Sequence, residues 1–215
     1  MGEGKRDQDG GRGSRRPLTV AIIQPAYLPW LGYFDQMAQA DVFVHYDDVQ
    51  YSRRSWHSRN RVKTPAGADW LSVPVVHTGR PQTLREARVD GSVRWKDRHL
   101  GVIQACYRPA PHFNEVYPWL EDFMAFPWEG LAHLNIQLGM AISAWLGIKA
   151  PELLLASDMG IPADLDTTAR PLQICQAVGA TRFLCGPTAK AYINAGAFED
   201  AGVELVWHEY EQVEY

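Results

Sequence analysis

The chain has 215 residues, of which 46% are hydrophobic, 11% aromatic and 21% charged. This apolar fraction is that of ordinary globular domains, which excludes a chain that is disordered throughout. The formal net charge of −4 argues against a protein that binds polyanions over its whole surface, while a local basic patch stays compatible with it.

The first sixteen residues differ in composition from the rest of the chain. Residues 1–16 contain five glycines, five basic residues and three acidic residues, and Met1 is their only apolar residue. Such a composition predicts a disordered tail. Residues 17–215 keep 16 basic and 22 acidic residues, a net charge of −6, and are predicted to form a single α/β domain.

The three cysteines, at positions 106, 175 and 185, form no CxxC pair. This spacing argues against a zinc knuckle and a disulfide scaffold. The histidines fall at no metal-ligand spacing, so we predict no metal site and assign no cofactor. No run of about 18 apolar residues occurs and the N-terminus lacks a signal-peptide core, which favours a cytoplasmic protein without a membrane span.

The body of the chain opens with a strand–helix–strand pattern. Residues 18–23 are a short, continuous, β-branched apolar run, which predicts a buried strand. Apolar residues at helical spacing over 26–40 predict a helix, and residues 41–46 predict a second strand. This βαβ unit indicates a parallel sheet.

The rest of the chain alternates in the same way after a helical segment. Residues 47–69 are predicted as a loop or short strands, and 70–76 as a strand. A helical insertion is expected over about 93–147. The later predictions are a strand over 151–157, a helix over 166–178, a strand over 181–185, a helical turn over 189–195 and a strand over 203–207. The predicted fold class is α/β, with a doubly wound, mainly parallel, Rossmann-like sheet.

The first candidate site is the segment 24–34, QPAYLPWLGYF, where the first strand passes into the first helix. Ligands of open α/β sheets bind at the carboxyl ends of strands, and helix N-termini favour anions. Gln24, Tyr27 and Trp30 are therefore candidate substrate-binding residues. The alternative is an ordinary turn whose aromatic side chains pack in the core.

The second candidate site follows the second predicted strand. Asp47 and Asp48 begin a segment in which five basic residues occupy positions 53–63, interleaved with aromatic residues. Asp48 is a candidate catalytic base, while Gln50 and Arg59 are candidates for contacts with a substrate that carries phosphate or carboxylate. The alternatives are a solvated loop and, against the net charge, a nucleic-acid surface over residues 52–63.

Two further segments carry candidate groups. His99 lies on a predicted helix and is a candidate acid or base, although a single helical histidine is more often structural. Residues 185–192, CGPTAKAY, place a glycine turn between a strand and a helix, which suits a phosphate but lacks the Walker A spacing. Cys185 is expected to be inert, because no neighbouring base activates it.

These segments together resemble the WbqC-like proteins. The resemblance rests on QPAYLPWLGYF, the AD pair, DDVQY, the W-x-x-R-N-R stretch and the late CGP-x4-Y motif, in that order from about residue 20 to 215. The family takes its name from a gene in lipopolysaccharide O-antigen clusters, and members also appear beside sugar-modifying and specialised-metabolite genes. The resemblance implies a biosynthetic role on small molecules, without established catalytic residues to carry over.

Matching to the family motifs adds further candidate substrate-binding residues: Asn60, Tyr107, Asn135, Gly186 and Tyr192. The sequence departs from the family pattern at Cys185, where a serine-like residue is expected. Related sequences are also expected to continue a short stretch beyond Tyr215.

We therefore expect a biosynthetic transferase that moves an acyl- or aminoacyl-type group onto a small amine- or hydroxyl-bearing substrate. Two alternatives stay open: a nucleotide-handling enzyme with a divergent HxGH-type turn, here read as PWLGY over 29–33, and a non-catalytic ligand-binding or scaffold protein. The expected partners are a small-molecule substrate and pathway enzymes, with nucleic acid disfavoured by the charge.

Overall fold

A computed structural model describes residues 16–211. The predicted tail over residues 1–16 lies outside this range except for Arg16. The strands are β1 (Thr19–Ile23), β2 (Val42–His45), β3 (Arg59–Thr64), β4 (Gly67–Ser72), β5 (Glu152–Leu155), β6 (Arg182–Cys185) and β7 (Glu204–Trp207). The helices are α1 (Leu31–Gln39), α2 (Trp95–Tyr107), α3 (Phe113–Ala125), α4 (Leu131–Trp145), α5 (Ala169–Ala177) and α6 (Ala195–Asp200).

Five strands form one parallel sheet in the order β5-β2-β1-β6-β7. The chain builds outward from β1 to β5 on one side and then crosses back to β6 and β7 on the other. The order therefore reverses between β1 and β6, and a crevice opens there beyond the carboxyl ends of the strands. The predicted doubly wound, parallel, Rossmann-like fold is confirmed.

Helices cover both faces of this sheet because successive strand residues alternate between the faces. Ala21 and Phe43 pack against Tyr33, Phe34 and Met37 of α1 on one face. Val20, Val44 and Phe183 pack on the other face with α5 and α6, in a second buried cluster. The continuous apolar runs of β1 and β2 follow from this burial on two sides.

The connection from β2 to β5 carries a third layer of structure. Helices α2, α3 and α4 fall within the segment 93–147 that the sequence marks as helical. The antiparallel hairpin β3–β4 precedes them and pairs Arg59 with Ser72 and Arg61 with Trp70. A separate core around Leu71, Leu84 and Leu131 joins the hairpin to the helices.

The hairpin is the main local difference from the prediction. The segment 47–69 was expected to be a loop or short strands, and residues 70–76 a strand, whereas β4 begins at Gly67 and ends at Ser72. Gly67 adopts a φ of +110° in the turn after Thr64, a conformation that glycine enters without strain. A polar, basic hairpin lacks the apolar run that makes the parallel strands easy to find, so its ends were misplaced.

Candidate functional site

The carboxyl ends of the five parallel strands carry most of the polar side chains of the sheet. We call this region the carboxyl edge, and it contains the residues that follow each strand: Gln24, Tyr46 to Asp48, Ser157, Gly186 and His208. Two helix residues reach the same edge through side-chain contacts. Arg170 of α5 contacts Asp48, and Asp35 of α1 contacts His208.

The centre of the carboxyl edge is an ion pair between Asp48 and Arg170. The Arg170 guanidinium donates to Asp48 Oδ2 over 2.5 Å, with side chains that are 2% and 16% exposed respectively. The guanidinium also lies 4.8 Å from the Tyr46 ring centroid. Burial alone lowers the pKa of Arg170, but hydrogen bonding and charge from Asp48 and Tyr46 outweigh burial and raise it. This arginine is therefore a permanent buried cation.

The ion pair leaves hydrogen-bonding capacity unused. Asp48 Oδ1 and Arg170 Nε are buried and have no partner within residues 16–211. Buried polar atoms of folded proteins are nearly always paired, so unpaired ones are informative. Asp47 differs, because its two carboxylate oxygens accept hydrogen bonds from the Ser157 backbone and hydroxyl at 3.1 and 2.8 Å. Asp47 therefore ties β2 to β5, whereas Asp48 is the carboxylate that keeps an unpartnered oxygen.

Tyr192 and Gly186 lie on the β6 side of the carboxyl edge. The Tyr192 side chain is exposed, and its pKa is raised by burial of the hydroxyl and by the charge of Cys185. Burial raises the pKa of Cys185 to about 11, which disfavours its thiolate and any nucleophilic role.

A histidine–carboxylate pair lies at the other end of the carboxyl edge, beside β7. His208 Nε2 donates to Asp35 Oδ2 over 2.7 Å, and His208 Nδ1 is buried without a partner in the described part of the chain. The Trp30 ring, 51% exposed, packs edge-on against His208 and Tyr210. A Cβ on Gly32 would lie 2.0 Å from this ring, so glycine is required for Trp30 to fold back over α1.

A basic groove of about 730 Å³ adjoins the carboxyl edge. Its walls come from residues 50–54, from the facing ends of β3 and β4, and from the loop 75–82. Four arginines line it, Arg53, Arg54, Arg59 and Arg80, and no carboxylate does. Gln50 at its wall follows Asp48 by two residues, about 7 Å of extended chain, so the backbone runs from the ion pair into the groove wall. The volume is typical of a small-molecule site.

Arg59 connects the groove to the aromatic side chains of the hairpin. Its guanidinium lies 4.0 Å from the Trp70 ring centroid, while its Nε is buried with no partner among the residues described. The structure therefore places two predicted substrate-binding residues, Gln50 and Arg59, in one groove with three arginines that the prediction left without individual roles.

Three of the predicted binding residues instead hold the backbone. Asn60 donates to the carbonyls of Leu28 and Tyr27, at 2.5 and 3.3 Å, and so supports Leu28 in its left-handed conformation, φ +47°. Asn135 donates to the His57 carbonyl at 2.7 Å, and the Tyr107 hydroxyl accepts from the backbone of β3. Gln24 accepts a hydrogen bond from the His57 ring at 2.7 Å.

Tyr27 and His99 form a buried connection between the first motif and the helical segment. The Ser72 carbonyl can only accept, so His99 Nε2 donates to it (3.2 Å) and His99 Nδ1 accepts from the Tyr27 hydroxyl (2.8 Å). Burial lowers the pKa of His99 to about 4. Tyr27 is fully buried and His99 is 1% exposed. The catalytic role predicted for His99 has no support in this geometry, because neither ring nitrogen is free.

Several residues of the site are not predicted from the sequence. Arg170 and His208 lie far from the recognisable motifs, and their partners Asp48 and Asp35 are 122 and 173 residues away. The only available signal for Arg170 was its place in the first turn of a helix that follows a parallel strand. Arg80 lies in a loop without periodicity, and nothing in its neighbourhood marks it.

Comparison with known proteins places the chain in a family. A profile of the WbqC-like protein family matches residues 24–215. The chain belongs to the WbqC-like protein family. A relative from Mycobacterium tuberculosis (strain ATCC 25618 / H37Rv), named "Uncharacterized protein Rv1507c", is 37% identical over 194 residues, which cover 89% of this chain and 82% of the relative. No solved structure gives a significant match.

Two further observations concern the described residues of this WbqC-like chain. Residues 16–211 contain no helix long and apolar enough to cross a membrane. They also contain no group of three or more His, Cys, Asp or Glu side chains arranged to hold a metal ion.

Proposed function

We propose that this WbqC-like chain is a biosynthetic enzyme that transfers an acyl- or aminoacyl-type group onto a small amine- or hydroxyl-bearing substrate. The proposed setting is a surface-polysaccharide or specialised-metabolite pathway, as in the family resemblance. The observation that carries the proposal is the juxtaposition of a groove lined by four arginines and no carboxylate with a buried Asp48–Arg170 pair that has unused hydrogen-bonding capacity.

In this proposal the basic groove binds the anionic part of one reactant. Arginine forks match the geometry of phosphate and carboxylate oxygens and stay charged at every physiological pH. Arg59 presents a partly buried side chain to the groove, and Arg53 and Arg80 add exposed positive charge to its lining. Because no acidic side chain lines the groove, an anion bound there is attracted by the arginines and is not repelled by a carboxylate of the lining.

Asp48 then acts on the nucleophile. Arg170 holds Oδ2 and fixes the rotation of the carboxylate, which leaves Oδ1 to accept a hydrogen bond from an amine or hydroxyl group. As the nucleophile bonds to the acyl carbon, its proton passes to Oδ1, and the leaving group departs with the electrons of the broken bond. Arg170 is a positioning residue in this scheme.

The first experiment is a thermal-shift screen of the full chain with inorganic phosphate, pyrophosphate, acetyl phosphate and carboxylates. A ligand at 100 times its Kd stabilises by about 2.7 kcal/mol, a shift of several degrees. The double variant Arg53→Gln/Arg80→Gln is expected to weaken binding about 10- to 100-fold. The matched control, Arg88→Gln/Arg94→Gln, removes exposed arginines that pair with Glu129 and Asp97 outside the groove.

The second experiment tests turnover. The chain is incubated with acetyl phosphate and an amine acceptor such as an aminosugar, and acylated product is measured by mass spectrometry. Asp48→Asn is expected to lose product while keeping the anion-induced thermal shift. Anion binding without product from any acyl donor would instead support the binding-protein alternative. The absence of any thermal shift would contradict the proposal.

A further inference from the structure

The turn before β3 and the strand β4 together present an aromatic platform, which we define as Trp56 and Trp70. Trp56 is 52% exposed, and its ring lies 5.3 Å from that of Trp70 at an angle of 43°. The Arg61 guanidinium lies 6.0 and 5.6 Å from the two ring centroids. A large aromatic surface in water, flanked by cations, is typical of a face that stacks on a planar ligand.

The platform and the basic groove lie on one face of the hairpin. Arg59 and Ser72 face each other across β3 and β4 and line the groove, and the next pair on that face is Arg61 with Trp70. Two residues along a strand span about 7 Å, and residues two apart share a face. The platform therefore begins at the groove wall, where the Arg59 guanidinium lies 4.0 Å from the Trp70 ring centroid.

The platform is held in a fixed position. The Trp56 carbonyl accepts a hydrogen bond from the Tyr27 backbone at 3.0 Å, so the buried first motif supports it. Arg54, on the groove wall, adopts a φ of +55°, a conformation that L-residues with long side chains rarely adopt. The hydrogen bond fixes the backbone of Trp56 two residues after the groove residue Arg54.

We infer that the anion of the proposed function is the diphosphate of a nucleoside diphosphate, free or as the activating group of a small substrate. The base stacks on the exposed Trp56, at the outer end of the platform, and the phosphates lie among Arg53, Arg59 and Arg80. The inference rests on the proposed function, because it names the anion that the groove holds.

Stacking on an indole tolerates any base, since every base has a π face. The platform itself therefore selects a planar ring and does not select between purine and pyrimidine. A longer nucleic acid has the same phosphate and base chemistry, but the net charge of −6 over residues 17–215 repels an extended polyanion outside the groove.

Isothermal titration of the full chain with ADP, UDP, pyrophosphate, uridine and a single-stranded oligonucleotide tests the inference. ADP and UDP are expected to bind at least 10-fold more tightly than pyrophosphate. Trp56→Leu is expected to weaken the nucleotides roughly 10- to 100-fold and to leave pyrophosphate unchanged. Trp56→Tyr should restore much of the loss. The control Trp145→Leu removes a similarly exposed indole, 47%, from α4, and should change nothing.

The outcomes separate the inference from the function on which it rests. If pyrophosphate binds as tightly as ADP and UDP, the inference that a base stacks on Trp56 is wrong, while anion binding in the groove is still supported. Binding of none of these anions would remove both. An oligonucleotide that binds more tightly than either nucleotide, with strong salt dependence, would overturn the inference in favour of single-stranded nucleic acid.

Discussion

Two groups of polar residues that meet motif residues differ in how their atoms are paired. The Tyr27 hydroxyl donates to His99 Nδ1, and the Asn60 amide donates to the carbonyls of Tyr27 and Leu28. At the carboxyl edge, Asp48 and Arg170 are just as enclosed but keep unpartnered atoms within the described range. We interpret the first group as a structural frame and the second as a candidate site. A recognisable motif therefore combines residues that stabilise the fold with residues that are candidates for ligand binding.

The largest expected effect comes from breaking the ion pair of the carboxyl edge. Arg170→Met leaves the Asp48 carboxylate without its cation and is expected to lower the free energy of unfolding by about 3–5 kcal/mol, measured by urea denaturation. The double variant Asp48→Asn/Arg170→Met is expected to lose less, because no charge is then buried alone. Equal losses in both variants would contradict the prediction, because they would mean that the unpaired Asp48 carboxylate costs nothing.

The second prediction concerns acid. Burial lowers the pKa values of His45 and His99 to about 4, below the unfolded value of about 6.5. Between these values the unfolded chain binds more protons, so stability is present above pH 6.5 and is lost as pH falls toward 4. Urea denaturation should show that the free energy of unfolding falls by about 2 kcal/mol for each histidine between pH 7 and pH 5.

His45→Asn is expected to reduce this pH dependence, and His77→Gln, which changes an exposed ring, should leave it unaltered. A free energy of unfolding that is constant from pH 7 to pH 5 would contradict the burial of these imidazoles in neutral form.

The third prediction tests whether the frame is separable from the site. Tyr27→Phe leaves His99 Nδ1 without its donor and is expected to destabilise the fold by about 1–3 kcal/mol. Binding of pyrophosphate should not change, because the groove is lined by other residues. Tyr107→Phe is the control, since its hydroxyl contacts an exposed part of β3. Loss of binding at constant stability would place Tyr27 in the site.

The smallest expected effect is at Gly32. Alanine favours a helix by about 1 kcal/mol over glycine, but its Cβ would displace the Trp30 ring. Because Trp30 is half exposed, the ring can turn into water, so we expect a free energy of unfolding within about 1 kcal/mol of wild type. The 19F resonance of fluorotryptophan at position 30 should shift. An unshifted resonance would mean that Trp30 does not rest on α1.

The parallel sheet was predictable because its strands carry their own signal. Residues 18–23 and 41–46 are buried on both faces, and burial requires the continuous apolar runs by which they were found. The site was only partly predictable. Asp48, Gln50 and Arg59 follow a recognisable strand, whereas Arg170 and His208 meet their partners only through the order of strands in the sheet. The burial of Tyr27 depends on α2, which no local pattern connects to it.

The place of β5 in the sheet has a consequence for how the chain folds. β5 pairs with β2, yet residues 46–151 lie between them. Loop-closure entropy rises only slowly with length, by about 0.6 kcal/mol per doubling, so this arrangement weakens the native state little. The folding rate responds more strongly, because contacts between distant residues form late. We expect the hairpin and α2–α4, whose contacts are local, to form before β5 joins the sheet.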